Sequence, residues 1–316
     1  MQLSRRKLLA TFALAALGGE AYRRARKPSP PKDLTIDGKT YQMHEGVLSQ
    51  TTPGNLQCKL GVMTDLHAHV DNSTYFAQQL AQEGVEAYLL GGDLSHSFGD
   101  YEGAKDDVRE IVSVTKPIAE TGKLVIATPG NHEQKRAWNT AMTHLKGRYP
   151  NVINAEQCPV IDLDDLTLLV LGGNTNSRFC VPDGFLRDGK DFERLQSLAQ
   201  EYQGDKPLLI ATHIPQRYNT VRGLDRIDRG GKHVGGKQLA SIRKAIGSRF
   251  NTFGHIHEFP GLITPDEQPV KQGELVEALD FKPGAVYDHQ RRPNLRPAAG
   301  IQEFVGQKSR AYILNR

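Results

Sequence analysis

Six of the eleven histidines stand just beyond short apolar runs, together with carboxylates and one amide. After CKLGVMT come Asp65, His67, His69 and Asp71. After the run ending at Leu90 comes Gly91-Gly92-Asp93, and after LVIAT comes Gly130-Asn131-His132-Glu133. His213 follows LLIAT, and Gly254-His255-Ile256-His257 follows the run 250–253. These are oxygen and nitrogen donors without a thiolate, a set suited to Mn, Fe, Zn or similar divalent ions. No Cys-x-x-Cys occurs among Cys58, Cys158 and Cys180, which argues against a thiolate zinc site and a disulfide framework alike. Singly, each element is weak, since a lone His is more often a hydrogen-bonded structural residue and Gly-Asp is common in turns. The conjunction at five strand ends carries the reading.

The elements that position these residues follow from hydrophobic periodicity. Strands are expected at 58–64, 86–90, 124–128, 166–171, 208–212 and 250–253. Helices are expected at 72–84, 100–121 with a break near Pro117, 134–148, 191–202 and 237–247. Such alternation implies parallel βαβ units with helices on the outer faces. A tail with strands near 276–281 and 310–314 looks like hairpins, so some strands are antiparallel. In open α/β sheets ligands bind at the carboxyl ends of the strands, where the residues above stand.

Length and composition bound the function classes. The chain has 316 residues, 38% hydrophobic and 24% charged, with a mean hydropathy of −0.49. These values exclude a polytopic membrane protein and fit one large or two small domains. The net charge of +4 is unevenly placed. Residues 1–32 hold eight Lys/Arg against one acid, and the rest holds 32 basic and 35 acidic residues. The body is therefore mildly acidic, with no basic stripe, and no specific nucleic-acid binding is expected.

The ordered set Asp65-x-His67, Gly92-Asp93, Gly130-Asn131-His132-Glu133, His213 and Gly254-His255-x-His257 resembles the calcineurin-like metallophosphoesterases over roughly residues 57–260. The resemblance implies an α/β protein with mixed sheets, a four-layer α/β/β/α sandwich. It implies two divalent cations (Mn, Fe or Zn). One is held by Asp65, His67 and His257, the other by Asn131, His213 and His255, with Asp93 bridging both. It implies hydrolysis of a phosphorylated small molecule, monoester or diester, by a metal-bridging hydroxide, with His132 protonating or stabilising the leaving oxygen. Glu133 is expected either to orient an imidazole or to be a surface carboxylate. His96, three places after Asp93, stands where the family commonly has an acid, which sets the chain apart from the Ser/Thr protein phosphatases.

Two alternatives stay open at this level. Asp65-Leu66-His67-Ala68-His69 also resembles the opening of amidohydrolase-type TIM barrels, although the later Gly-Asn-His-Glu and Gly-His-x-His have no place there. A non-catalytic metallophosphoesterase-like binding module is the other, although such modules usually lose ligands. His69 is left over as a structural or substrate-contacting residue. The basic segment 217–237, with Arg217, Arg222, Arg226, Arg229, Lys232 and His233, reads either as a mobile loop over an anionic substrate or as a solvated one.

The first residues read as an address. Arg5, Arg6 and Lys7 precede an uncharged run from Leu8 to Gly19, too short to span a bilayer, with Gly19 and Ala21 suiting cleavage. Ser4-Arg5-Arg6-Lys7-Leu8-Leu9 resembles a twin-arginine signal. The expected division is a signal at 1–21, a Pro/Arg-rich linker and extension at 22–55, and the metallophosphoesterase domain with C-terminal hairpins at 56–316. Export through the twin-arginine machinery would place the protein in the bacterial periplasm or outside the cell, with an uncleaved anchor as the other outcome.

Overall fold

Apolar runs become strands whose alternate residues face opposite layers. A computed structural model describes residues 30–54, 57–96, 103–227, 231–287 and 295–316. The expected signal at 1–21 and Arg229 lie outside them. The first half of the described chain forms β1 (Lys32–Ile36), β2 (Lys39–His44), β3 (Val47–Gln50), β4 (Gln57–Met63), α1 (Val70–Gln82), β5 (Ala87–Leu90), α2 (Gly103–Ala119), β6 (Leu124–Ala127) and α3 (Lys135–Arg148). There follow β7 (Val152–Asn154), β8 (Val160–Asp162), β9 (Thr167–Leu171), α4 (Gly189–Tyr202), β10 (Leu208–Thr212), β11 (Arg226–Ile227), β12 (Lys232–His233) and α5 (Lys237–Ile246). The last strands are β13 (Phe250–Thr252), β14 (Gly261–Ile263), β15 (Leu279–Lys282), β16 (Ala298–Val305) and β17 (Lys308–Asn315).

Two mixed sheets result. One has six strands in the order β17-β16-β4-β5-β6-β7, the other nine in the order β1-β2-β3-β8-β9-β10-β13-β15-β14. In the first, β4 to β7 run parallel, and β16 lies antiparallel to β4, Gly300 opposite Val62. In the second, β9, β10, β13 and β15 run parallel. Leu60, Val62, Leu89 and Ile126 pack with Leu168, Val170, Leu209 and Phe250 between the sheets. Their strand neighbours Met63, Tyr88 and Val125 face outward against Phe76, Leu80, Ile111 and Trp138 of α1, α2 and α3. On the other side Leu169 and Ile210 meet Phe192, Leu195 and Leu239 of α4 and α5. The four layers are thus α/β/β/α, as the resemblance implies, and not a barrel.

Two features differ from the sequence reading. The 22–55 extension is partly built into the fold, because Lys32–Gln50 adds three strands to the nine-stranded sheet and buries Ile36, Tyr41 and Leu48 in the central core. Helix α2 passes Pro117 without a break. Pro117 lies in the last turn, so its missing N–H removes one bond just before the helix ends at Ala119. Among the described residues no helix is long and apolar enough to cross a membrane.

Candidate metal centre

The site is assembled where the carboxyl ends of six strands meet, three from each sheet. Strand β4 delivers Asp65 and His67, β5 delivers Asp93, and β6 delivers Asn131 and His132. Opposite them, β9 leads to Asn174, β10 to His213, and β13 to His255 and His257. Main-chain bonds lock these ends together: Asp65 N donates to Gly92 O at 3.0 Å, His67 N to Asp93 O at 2.9 Å, and Gly254 N to His213 O at 2.9 Å. Asp65, His67, Asp93 and His255 all sit at positive φ, between 40° and 67°. Non-glycine residues avoid this region, and packed surroundings must hold them there.

All seven residues assigned as ligands, and His132, converge. Three groups hold candidate ligand atoms within 4.8 Å of one another: Asp65 with His67 and His257, Asp93 with His213 and His255, and His67 with Asp93 and His132. In the first, His67 Nε2 and His257 Nε2 face each other at 3.3 Å, and His257 Nε2 lies 3.5 Å from Asp65 Oδ1. In the second, His213 Nε2 is 2.9 Å from Asn131 Oδ1 and 3.3 Å from Asp93 Oδ2. Asp93 Oδ2 also lies 3.9 Å from His67 Nε2 and from His132 Nε2. The other oxygen, Oδ1, accepts from Asn131 N at 2.8 Å and His132 N at 3.0 Å, which aims Oδ2 at the imidazoles.

Charge in this pocket is concentrated and buried. Burial raises the Asp65 carboxyl, but the His257 bond and charge, with His213, outweigh it and leave it at about 2. Asp93 is likewise raised by burial, yet His213, His132 and His67 hold it well below the usual carboxylate range. Burial pushes His67 and His255 down to about 3, so both rings are neutral with a lone pair to offer. His213 is lowered by burial but lifted to about 9 by Asp93. Buried carboxylates beside neutral imidazoles and an amide oxygen form a cage fitted to divalent cations.

The supporting residues clarify what sequence left open. Glu133 is fully buried rather than a surface carboxylate. It accepts from Ser95 N at 2.9 Å, Ser95 Oγ at 3.2 Å and Gly130 N at 2.6 Å, clamping the β5 and β6 loops together. Burial and the nearby Asp93 charge raise it to about 7. His69 and His96 do not join the donor groups; their rings flank Tyr287 at 4.7 and 5.6 Å. Described parts of the basic segment are hydrogen-bonded: Asp225 takes His233 Nδ1 at 2.5 Å and Gly235 N at 2.9 Å, Arg217 donates to His233 O, and Arg226 donates to Val221 O. Asn174 was missed, because the run Leu166–Leu171 ends in no His or carboxylate; the signal was Gly-Gly-Asn after a strand.

Two expected outcomes arise from this support. At Gly130 an added Cβ would collide with Asp93 Oδ1 and Asp93 N. Gly130→Ala is therefore expected to displace Asp93 and lower metal affinity by at least the roughly 10–100-fold that outer partners are worth, read by metal titration. Lys282 is fully buried and donates from Nζ to Leu224 O at 2.6 Å and to Glu258 O at 2.5 Å, pinning the chain just past His257. Burial pushes its amine from 10.5 down to about 7. The unfolded chain therefore binds more protons between these values, and stability from this group rises with pH across that window. Urea unfolding at pH 7.5 and 9.5 should show this slope in the native protein and a flatter one in Lys282→Met.

Comparison with known proteins agrees with the geometry. A family model described as calcineurin-like phosphoesterase matches residues 58–259, more than half of the chain. No curated protein matches the sequence. A protein of Thermus thermophilus has a similar structure, with a TM-score of 0.54 at 10% identity, covering 82% of this chain and 98% of that one. A dimetal phosphatase from Danio rerio gives 0.51 at 12% identity, with 82% and 98% covered. Purple acid phosphatase PPD1 from yellow lupin gives 0.50 at 10% identity, covering 88% of this chain and 59% of that one. At such identities the likeness is one of fold. The matched span, however, begins at the second residue of β4 and ends two residues past His257, so it takes in every strand end that feeds the cage. The chain belongs to the calcineurin-like phosphoesterase family, whose chemistry is the metal-dependent hydrolysis of phosphoester bonds.

Proposed function

We propose that the protein is a binuclear metallophosphoesterase acting on a phosphorylated small molecule, with Asp65, His67 and His257 holding one cation, Asn131, His213 and His255 the other, and Asp93 shared. The observation that carries this reading is the position of Asp93 Oδ2, within 3.3–3.9 Å of imidazoles belonging to both halves. Bound there, two cations would lower the pKa of a water between them and neutralise phosphoryl oxygens. The chain's own contribution is to fix the cage and to bring His132 to its open side, where it can pass a proton to the leaving oxygen. Imidazoles, carboxylates and one amide oxygen suit Mn, Fe and Zn alike.

Metal analysis of the purified protein should find about two ions per chain, and chelation should abolish hydrolysis until a divalent metal is returned. Full turnover by chelated, metal-free protein overturns the reading. An aryl monoester and a bis-aryl diester assayed side by side decide the ester class. The non-catalytic alternative predicts metal without hydrolysis; the complete donor set and His132 speak against it. Location outside the cytoplasm is proposed on the N-terminal sequence alone, from Ser4-Arg5-Arg6-Lys7 and the uncharged run behind it.

A further inference from the structure

At the end of β9 the chain reads Gly172-Gly173-Asn174-Thr175-Asn176. Gly173 has φ +80°, and a Cβ there would collide with Phe185 O, so the turn accepts only glycine. Beyond it the main chain of Asn174 is held on both sides, N donating to Phe185 O at 2.9 Å and O accepting from Arg187 N at 2.8 Å. The residue is 3% exposed. Its Oδ1 accepts from Asn176 N at 2.9 Å, which fixes which way the amide faces. Nδ2 is thereby turned into the cage, 3.3 Å from His255 Nε2 and 3.5 Å from Asn131 Oδ1.

An amide nitrogen carries two hydrogens and no free lone pair, so it cannot itself be a ligand. Its two neighbours belong to Asn131 and His255, residues assigned above to the second cation. Once the single lone pair of the imidazole is committed to a cation, His255 Nε2 can no longer accept, while Asn131 Oδ1 keeps a second lone pair for one N–H; the other N–H faces the cage without an acceptor from that pair. A buried donor left unpaired is expensive. The oxygens of the anion that the site is built to receive are acceptors of the right charge.

We propose that Asn174 is a further substrate-contacting residue, whose side-chain amide donates a hydrogen bond to a phosphoryl oxygen on the Asn131 and His255 side of the site. This rests on the binuclear reading. The residue therefore acts on the phosphate common to all candidate esters and not on the group attached to it.

The test uses the full chain, loaded with manganese, as native protein, Asn174→Ala and Asn174→Asp. Metal content is measured by mass spectrometry and the affinity for inorganic phosphate by calorimetry. The expected result is unchanged metal content with phosphate binding weakened about 10–100-fold in Asn174→Ala, the worth of one hydrogen bond to a charged group. Asn174→Asp keeps the shape, should fold if the alanine variant does not, and should bind phosphate more weakly still, because a carboxylate repels the anion. Phosphate affinity within twofold of native in the metal-loaded variants overturns the proposal. So does loss of metal from Asn174→Ala with native phosphate affinity in Asn174→Asp, since the residue then only shapes the cage. Native protein that takes up none of manganese, iron and zinc overturns the binuclear reading itself, and this proposal with it.

Discussion

Asp93→Asn is expected to empty both halves of the cage and to reduce hydrolysis to the level of the chelated protein. The exchange keeps the shape of the side chain, so the effect is one of charge and direction. Asp93 Oδ1 is committed to two main-chain donors, Asn131 N and His132 N, and an amide oxygen can take that place. The amide nitrogen then occupies the position of Oδ2 and points hydrogens where a shared anionic ligand is needed. A lost outer partner typically costs about 10–100-fold in metal affinity, and a lost shared ligand should exceed that for both ions. Calorimetric titration with manganese checks it, and circular dichroism shows whether the fold survives. Two equivalents bound with native affinity by Asp93→Asn would end the bridging assignment.

His132→Ala is the second large effect, and of a different kind. The ligand imidazoles of His67 and His213 are shut away, with side-chain exposures of 5% and 0%, His257 keeps 16%, and His132 retains 23%. Its ring stands edge-on to His67 with centroids 4.9 Å apart, and its Nε2 lies 3.9 Å from Asp93 Oδ2. That is the position of a group able to meet what leaves the site. The variant should keep its metals and lose turnover by about 10²–10⁴-fold on an alkyl phosphate, the usual worth of a general acid. On an aryl ester whose phenolate departs without a proton, the loss should be far smaller. An equal loss on both esters removes the proton-donor role and leaves His132 as a support for Asp93.

The contrast between these residues and the rest shows what the sequence makes legible. Strands β5, β6 and β10 are short runs that are apolar but for a closing Thr212, and the polar residues just past them could be assigned one strand end at a time. Asn174 and Glu133 act through hydrogen bonds that depend on which loops meet, and neither residue type advertises that. Strands β1, β2 and β3 were hidden because only Ile36, Tyr41 and Leu48 of their fifteen residues are fully buried hydrophobics, and the Pro- and Arg-rich stretch before them reads as linker. Strand β16 was hidden because Gly300 and Gln302 interrupt its pattern; Gln302 is fully buried and is satisfied by Thr252 Oγ1 at 2.9 Å. Basic residues in 217–237 left open a substrate-contacting or a solvated loop; among its described residues, Asn219 and Thr220 are held by Glu267 and Gly235 by Asp225, contacts that the sequence does not advertise.

The seat of β16 has a consequence for how the protein is made. It pairs along β4 from Val305 opposite Gln57 to Gly300 opposite Val62, so β4 receives one flank from a stretch synthesised long after it. His213, His255 and His257 also emerge late. A nascent chain still on the ribosome can pair β4, β5 and β6, yet it presents half a cage and an open edge. Pairings so distant in sequence close slowly. The full donor set is therefore expected only once β10 and β13 have joined the fold, so cation uptake should follow that pairing and not precede it.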